Sequence, residues 1–152
     1  MWRRPGGIAV SAALLVLLLL GVAWSLGWLD GLTVDLGDSG EPERRSAERR
    51  ARAARFIAIG EPRSERATPS VTLSLPFDDK HCYALALGSG RRLRRVVLER
   101  LGVRAFDDEV ARRWALTTYC PRIPGRYSAR VTLEQPGWLN WRLMERPRRA
   151  KK

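Results

Sequence analysis

The chain is 152 residues long with a net charge of +12, from 28 basic and 16 acidic residues, and it contains one histidine and two cysteines. That length holds one folded domain with linkers. Only three of the basic residues are lysine (Lys80, Lys151, Lys152), an arginine bias of the kind a GC-rich coding composition produces, so basicity alone does not select a nucleic-acid partner.

No charged residue occurs from Pro5 to Leu29. Within this run Ile8–Leu29 spans 22 residues, which as a helix is about 33 Å and crosses a hydrocarbon core of about 30 Å. Trp2 lies at one end, Trp24 and Trp28 at the other, where interfacial aromatics belong. The pattern predicts a cytoplasmic N-terminus over 1–7 and a transmembrane helix over 8–29. A cleaved secretory signal is the competing reading, with Met-Trp-Arg-Arg as its basic start and Ala23-Trp24-Ser25 as a small-x-small site. The apolar run, however, continues past that site to Leu29. Arg3 and Arg4 precede the run, and Asp30, Asp35, Asp38, Glu41 and Glu43 follow it. Retention of positive charge in the cytoplasm then directs the rest of the chain outward, into a periplasmic or other extracytoplasmic space.

Residues 30–70 read as an acidic spacer followed by an Arg-rich stalk. Pro42 suits a first helical turn, and Glu43 to Ala58 is rich in the helix formers Ala, Arg and Glu. Glu41–Arg45 and Glu48–Arg52 have favourable i,i+4 spacing. The stalk is expected to be a basic helix or a disordered tether, and Arg44, Arg45, Arg49 and Arg50 are its candidate contacts to anionic head groups. Residues 61–70 have turn composition and lead into a folded domain over 71–145.

Val71-Thr-Leu-Ser-Leu75 alternates strictly, as a half-buried strand does. Tyr83, Leu85 and Leu87 repeat the pattern before Gly88-Ser-Gly90. Arg126 to Glu134 is the clearest strand, with Tyr127, Ala129, Val131 and Leu133 inward. After the turn at Pro136-Gly137, Leu139, Trp141 and Leu143 form a last inward row. Residues 91–101 and 107–116 remain open: Leu93, Val96, Val97 and Leu101 share one helical face, and Val110 and Trp114 would face inward from a second helix. Arg146 to Lys152 reads as a disordered basic tail.

The succession Cys82-Tyr-Ala-Leu-Ala-Leu-Gly88, Leu93-x-x-Val-Val-Leu98, Gly102-Val-Arg-Ala-Phe-Asp-Asp108, Tyr119-Cys-Pro121 and Gly125-Arg-Tyr127 resembles the bacterial pre-peptidase C-terminal type of β-sandwich domain, especially its two-cysteine envelope variants. The resemblance covers about 71–143. It implies strands at about 94–101 and 103–106, an all-β small antiparallel sandwich, and an accessory module with no catalytic residue. The family's Asp residues around the central strand are replaced here by Leu93-Arg94-Arg95-Val96.

Cys82 and Cys120 are an even pair, which in an oxidising compartment reads as a disulfide; closing that loop is worth about 4 kcal/mol in chain entropy. His81, next to Cys82 in an extended segment, points to the opposite face, so the two make a poor catalytic pair. His81, Cys82 and Cys120 are one ligand short of a closed zinc site. Asp78-Asp79 and Asp107-Asp108-Glu109 offer oxygens to calcium, but each sits beside a turn where Asp is favoured anyway. The sequence contains no Gly-x-Ser-x-Gly, no His-Glu-x-x-His and no phosphate loop. Trp138, directly after Pro-Gly and opposite in direction to Trp141, is the aromatic candidate for a surface contact. The expectation is a single-pass, membrane-anchored envelope protein that displays a non-catalytic interaction or structural module, with no metal and no cofactor. Its partners would be the membrane through 8–29, anionic lipid or an envelope polymer, or a protein, with no nucleic acid expected. A basic surface binder of anionic lipid or polymer is the alternative, and a hydrolase a third.

Overall fold

The computed structural model describes residues 39–148. The transmembrane span predicted at 8–29, its cytoplasmic flank 1–7 and the acidic stretch 30–38 lie outside the described residues, as do residues 149–152. Among the described residues no helix is long and apolar enough to cross a membrane.

Among the described residues one helix, α1 (Glu41–Ala53), precedes eight strands: β1 (Ile57–Ala67), β2 (Ser70–Phe77), β3 (His81–Ser89), β4 (Leu93–Arg100), β5 (Val103–Glu109), β6 (Trp114–Tyr119), β7 (Gly125–Leu133) and β8 (Gly137–Pro147). They form two four-stranded antiparallel sheets, ordered β1-β8-β3-β6 and β2-β7-β4-β5. First pairs with last, second with seventh, third with sixth and fourth with fifth. A long antiparallel ribbon folded over on itself gives this order, which is that of a jelly roll.

The alternating residues of both sheets meet in the middle. Leu73, Leu75, Leu87, Leu93, Val131 and Leu139 are almost wholly excluded from solvent there. Phe77 stacks on Tyr83 with ring centroids 4.3 Å apart, and Tyr127 packs on Phe77 at 5.1 Å. Trp141 belongs to this core.

A second, smaller core lies on the outer face of the β1-β8-β3-β6 sheet, between α1 and β3. Ala47 and Ala51 from the helix and Phe56 after it meet Cys82, Ala84, Ala86 and Met144. Strand β3 is thus buried on both faces, with large residues inward and small ones toward the helix. A Cβ on Gly88 would lie 2.1 Å from the Arg44 backbone nitrogen and 2.3 Å from the Gly40 carbonyl oxygen. The helix can start there only because position 88 has no side chain.

Several expectations change. Residues 30–70 are not all spacer and stalk, and the sandwich does not begin at 71. Ile57–Ala67 is the edge strand β1, paired with β8 along its length. Its linker-like composition has a physical cause: an edge strand is mostly solvated, and Gly60-Glu61-Pro62 sits where the register shifts between Ile59 and Arg63. Pro is tolerated at such a bulge because no ladder donor is required. The basic stalk is instead a helix docked on the sandwich.

Neither ambiguous stretch is helical: 91–101 holds β4, and 107–116 holds the end of β5, the connection 110–113 and the start of β6. In β4 the register shifts between Leu93 and Arg95, so the inward set is Leu93, Val96 and Leu98. A bulge that skips one residue gives inward spacings of three and two, which imitates helical periodicity. Trp114, expected inward, lies on the outer face of its sheet and packs against the smaller core. The tail assignment also shortens: Arg146 stacks 4.4 Å over Phe56, and Arg148 donates to the Pro121 carbonyl at 2.9 Å, so 146–148 are part of the domain.

Candidate functional site

The strand directions give the sandwich two unlike ends. At one end lie the β1–β2, β3–β4, β5–β6 and β7–β8 connections and the start of α1. The chain enters here: the Asn140 amide donates to the Ser39 carbonyl, and Gly40 packs against the Ser89 backbone. At the other end lie the β2–β3, β4–β5 and β6–β7 connections and the end of β8.

The entry end gathers arginines from separate loops. Backbone hydrogen bonds tie the loops together: Leu93 N donates to Arg112 O (2.7 Å), Ser89 N to Arg113 O (2.9 Å) and Glu134 N to Arg92 O (2.9 Å). Beside β4 runs a groove of about 640 Å³ lined by Arg94, Arg95, Glu109, Val110, Ala111 and Thr132. It continues into a second hollow of about 420 Å³ that adds Arg92, Leu93 and Glu134. Arg95 is neutralised by a bidentate pair of bonds to Asp107 at 2.8 and 2.7 Å, which pulls the Asp107 carboxyl below its usual range. Among the described residues Arg66, Arg92, Arg94 and Arg113 have no carboxylate within ion-pair distance. Trp138 is 47% exposed at this end, its carbonyl held by the Ser89 hydroxyl at 2.8 Å.

The far end carries the disulfide. Cys82 and Cys120 are bonded, joining the start of β3 to the residue after β6. Asp78 accepts from the backbone N–H groups of Lys80 (2.8 Å) and His81 (2.9 Å), and its other oxygen lies 2.8 Å from His81 Nδ1. The hydrogen bond from His81 is the main cause that holds the Asp78 carboxyl below its usual range. Asp78 N in turn donates to the Tyr83 hydroxyl at 3.0 Å, while burial pushes that phenol up. His81 therefore belongs to a turn clamp, on the opposite side of the strand from Cys82. Among the described residues no three His, Cys, Asp or Glu side chains converge as a metal site would require. Leu101, Val103 and Ile123 are exposed apolar residues of this end.

The stalk arginines do not act as one group. Arg44 is 4% exposed and turned inward, paired with Glu48, which itself is 6% exposed and lies 3.6 Å from Arg142. Burial lowers the Arg44 guanidinium from its ordinary value. Arg44 is thus removed from the set of surface contacts: a basic residue in a helix reads as solvated until a second element covers it, and that element is the sheet. Arg45 bonds Glu41 at 2.5 Å and Arg49 bonds Ser46 at 2.9 Å. Arg50 lies 4.6 Å over the Trp114 ring, with Arg112 5.4 Å from the same ring. Of the residues singled out from sequence as surface contacts, Trp138 lies beside the loop arginines of the entry end, while Arg44 and Arg45 sit in the first turns of α1 and are paired with Glu48 and Glu41. Arg92, Arg94 and Arg113 were missed because arginine is common throughout the chain. Only the strand order shows that residues 92–94 and 112–113 share one end.

No protein-family model matches the chain, and no curated protein matches its sequence.

Proposed function

We propose that this chain is a single-pass, membrane-anchored protein of a bacterial envelope. Its N-terminus is cytoplasmic, its anchor is the 8–29 helix, and its β-sandwich is displayed outside the cytoplasm as a non-catalytic interaction or structural module. The Cys82–Cys120 bond carries this reading. Disulfides persist in oxidising compartments and are rare where glutathione and thioredoxin reduce them, and an export orientation delivers both cysteines to such a space. The uncharged run from Pro5 to Leu29 and its acidic exit flank supply the anchor and the direction. The likeness to the pre-peptidase C-terminal type of domain agrees with an accessory role, and a paired β-sandwich is the architecture it implies.

Absence of catalysis is part of the proposal. Among the described residues both cysteines are consumed in the disulfide, and His81 is held by Asp78 at an exposed turn. A second reading, a basic binder of anionic lipid or polymer, is favoured by one observation, the arginines without carboxylate partners at the entry end.

The test is alkylation of the native protein in intact cells, quenched in acid and read as a gel shift. The expected result is no modification before reduction and two sites after it. Two thiols reactive without reduction would contradict display in an oxidising compartment.

A further inference from the structure

We infer that the entry end of the sandwich is a docking surface for the anionic leaflet in which the same chain is anchored. This rests on the anchoring reading above. Three observations converge on it. The first is charge: Arg66, Arg92, Arg94, Arg112 and Arg113 are all exposed at this end. Against them stand Glu109 and Glu134 in the same groove. Arg66, Arg92, Arg94 and Arg113 have no carboxylate within ion-pair distance among the described residues, and an anionic surface would supply that counter-charge. The second is Trp138, half exposed beside them; an indole with an apolar body and a polar N–H suits the head-group layer.

The third is connectivity. The chain enters at Ser39–Gly40, on the same end as these residues. From Leu29 to Ser39 the intervening stretch is Asp30–Asp38, nine residues and ten Cα steps, which fully extended reaches at most about 36 Å. The spacer ends on the arginine end of the domain, so docking by that end leaves most of its reach unused. There each arginine near anionic lipid strengthens attachment about fivefold. The docked domain would point the disulfide, together with Leu101, Val103 and Ile123, away from the membrane. Glu109, Glu134 and the spacer's own Asp35 and Asp38 oppose docking, so the affinity is set by the arginine excess and is sensitive to salt.

Hydrogen exchange on the full chain in lipid nanodiscs tests this, with phosphatidylcholine alone compared with a phosphatidylcholine–phosphatidylglycerol mixture. Several-fold slower exchange is expected at 89–94, 110–113 and 134–138 in the anionic discs, with no change at 78–81, 101–103 and 120–124. The protection should vanish in about 0.5 M salt, where the screening length is about 4 Å, and in the exposed-residue variant R92E/R94E/R113E. Equal exchange in both lipids overturns the proposal, as does protection confined to the far end. Protection in neutral discs on adding soluble polyphosphate, with none in anionic discs, assigns the surface to a polymer and also overturns it. Carbonate extraction reads the anchor separately: a chain released from the bilayer contradicts the anchoring reading, whereas an anchored chain with unchanged exchange contradicts the docking surface alone.

Discussion

Asp78 shows how a single carboxylate organises the far end of this domain. It closes the β2–β3 turn by accepting from two backbone N–H groups, and it faces His81 across 2.8 Å. Its carboxyl is held below the usual range, chiefly by the bond to His81. A depressed carboxyl stabilises the fold at every pH above its unfolded value, about 4, and that stability is lost as pH falls through the folded value. The melting temperature should therefore drop as pH falls below about 4, and D78N should start lower at neutral pH and flatten that acid limb. A D78N protein whose acid limb matches the parent would show that this clamp does not carry the effect. At this scale the sequence was partly legible. The Asp78-Asp79 pair at a turn was visible, but which of the two closes the turn, and that His81 is its partner, depended on where β3 begins.

At the scale of elements, α1 and β1 are where composition misleads. Both are charged; the α1 stretch read as a solvated helix or a tether, and most of the β1 stretch as linker. Yet α1 buries Ala47 and Ala51 against β3, while β1 forms an edge of the sheet. The signal that would have found the docking of α1 lies in its partner: Ala84, Ala86 and Gly88 alternate with Tyr83, Leu85 and Leu87, a strand with a small-residue face where a helix must approach closely. The contact is tightest at Gly88, where a new Cβ would strike helix backbone that cannot rotate away. G88A is expected to cost about 1–3 kcal/mol, the range for overpacking a close contact, and to free the helix before the sandwich melts. Denaturant unfolding followed by both helical circular dichroism and tryptophan fluorescence checks this. Coincident transitions at the parental midpoint would contradict the close packing. Strand β4 taught the opposite lesson: its bulge gave it helix-like spacing, and only the resemblance pointed to a strand.

At the largest scale, the folded domain over 39–148 is polar in the geometric sense. A ribbon folded first-to-last places the four connections of even rank at one end and those of odd rank at the other, counting the α1–β1 joint as the first. The chain enters at the arginine end, and Arg148 is held at the disulfide end by the Asp79 and Pro121 carbonyls. That asymmetry was not legible in the sequence, because it arises from strand order, whereas the half-buried strands and the cysteine pair were. It also makes the decisive experiment clean, since a fusion after Lys152 leaves the domain from the end opposite to its entry. The central claim is that everything after the 8–29 run lies outside the cytoplasm. The measurement is a pair of reporters fused after Lys152, alkaline phosphatase, active only when exported, and a fluorescent protein that matures only in the cytoplasm. Active phosphatase with a dark fluorescent fusion is the result predicted; a bright fusion with inactive phosphatase would contradict it.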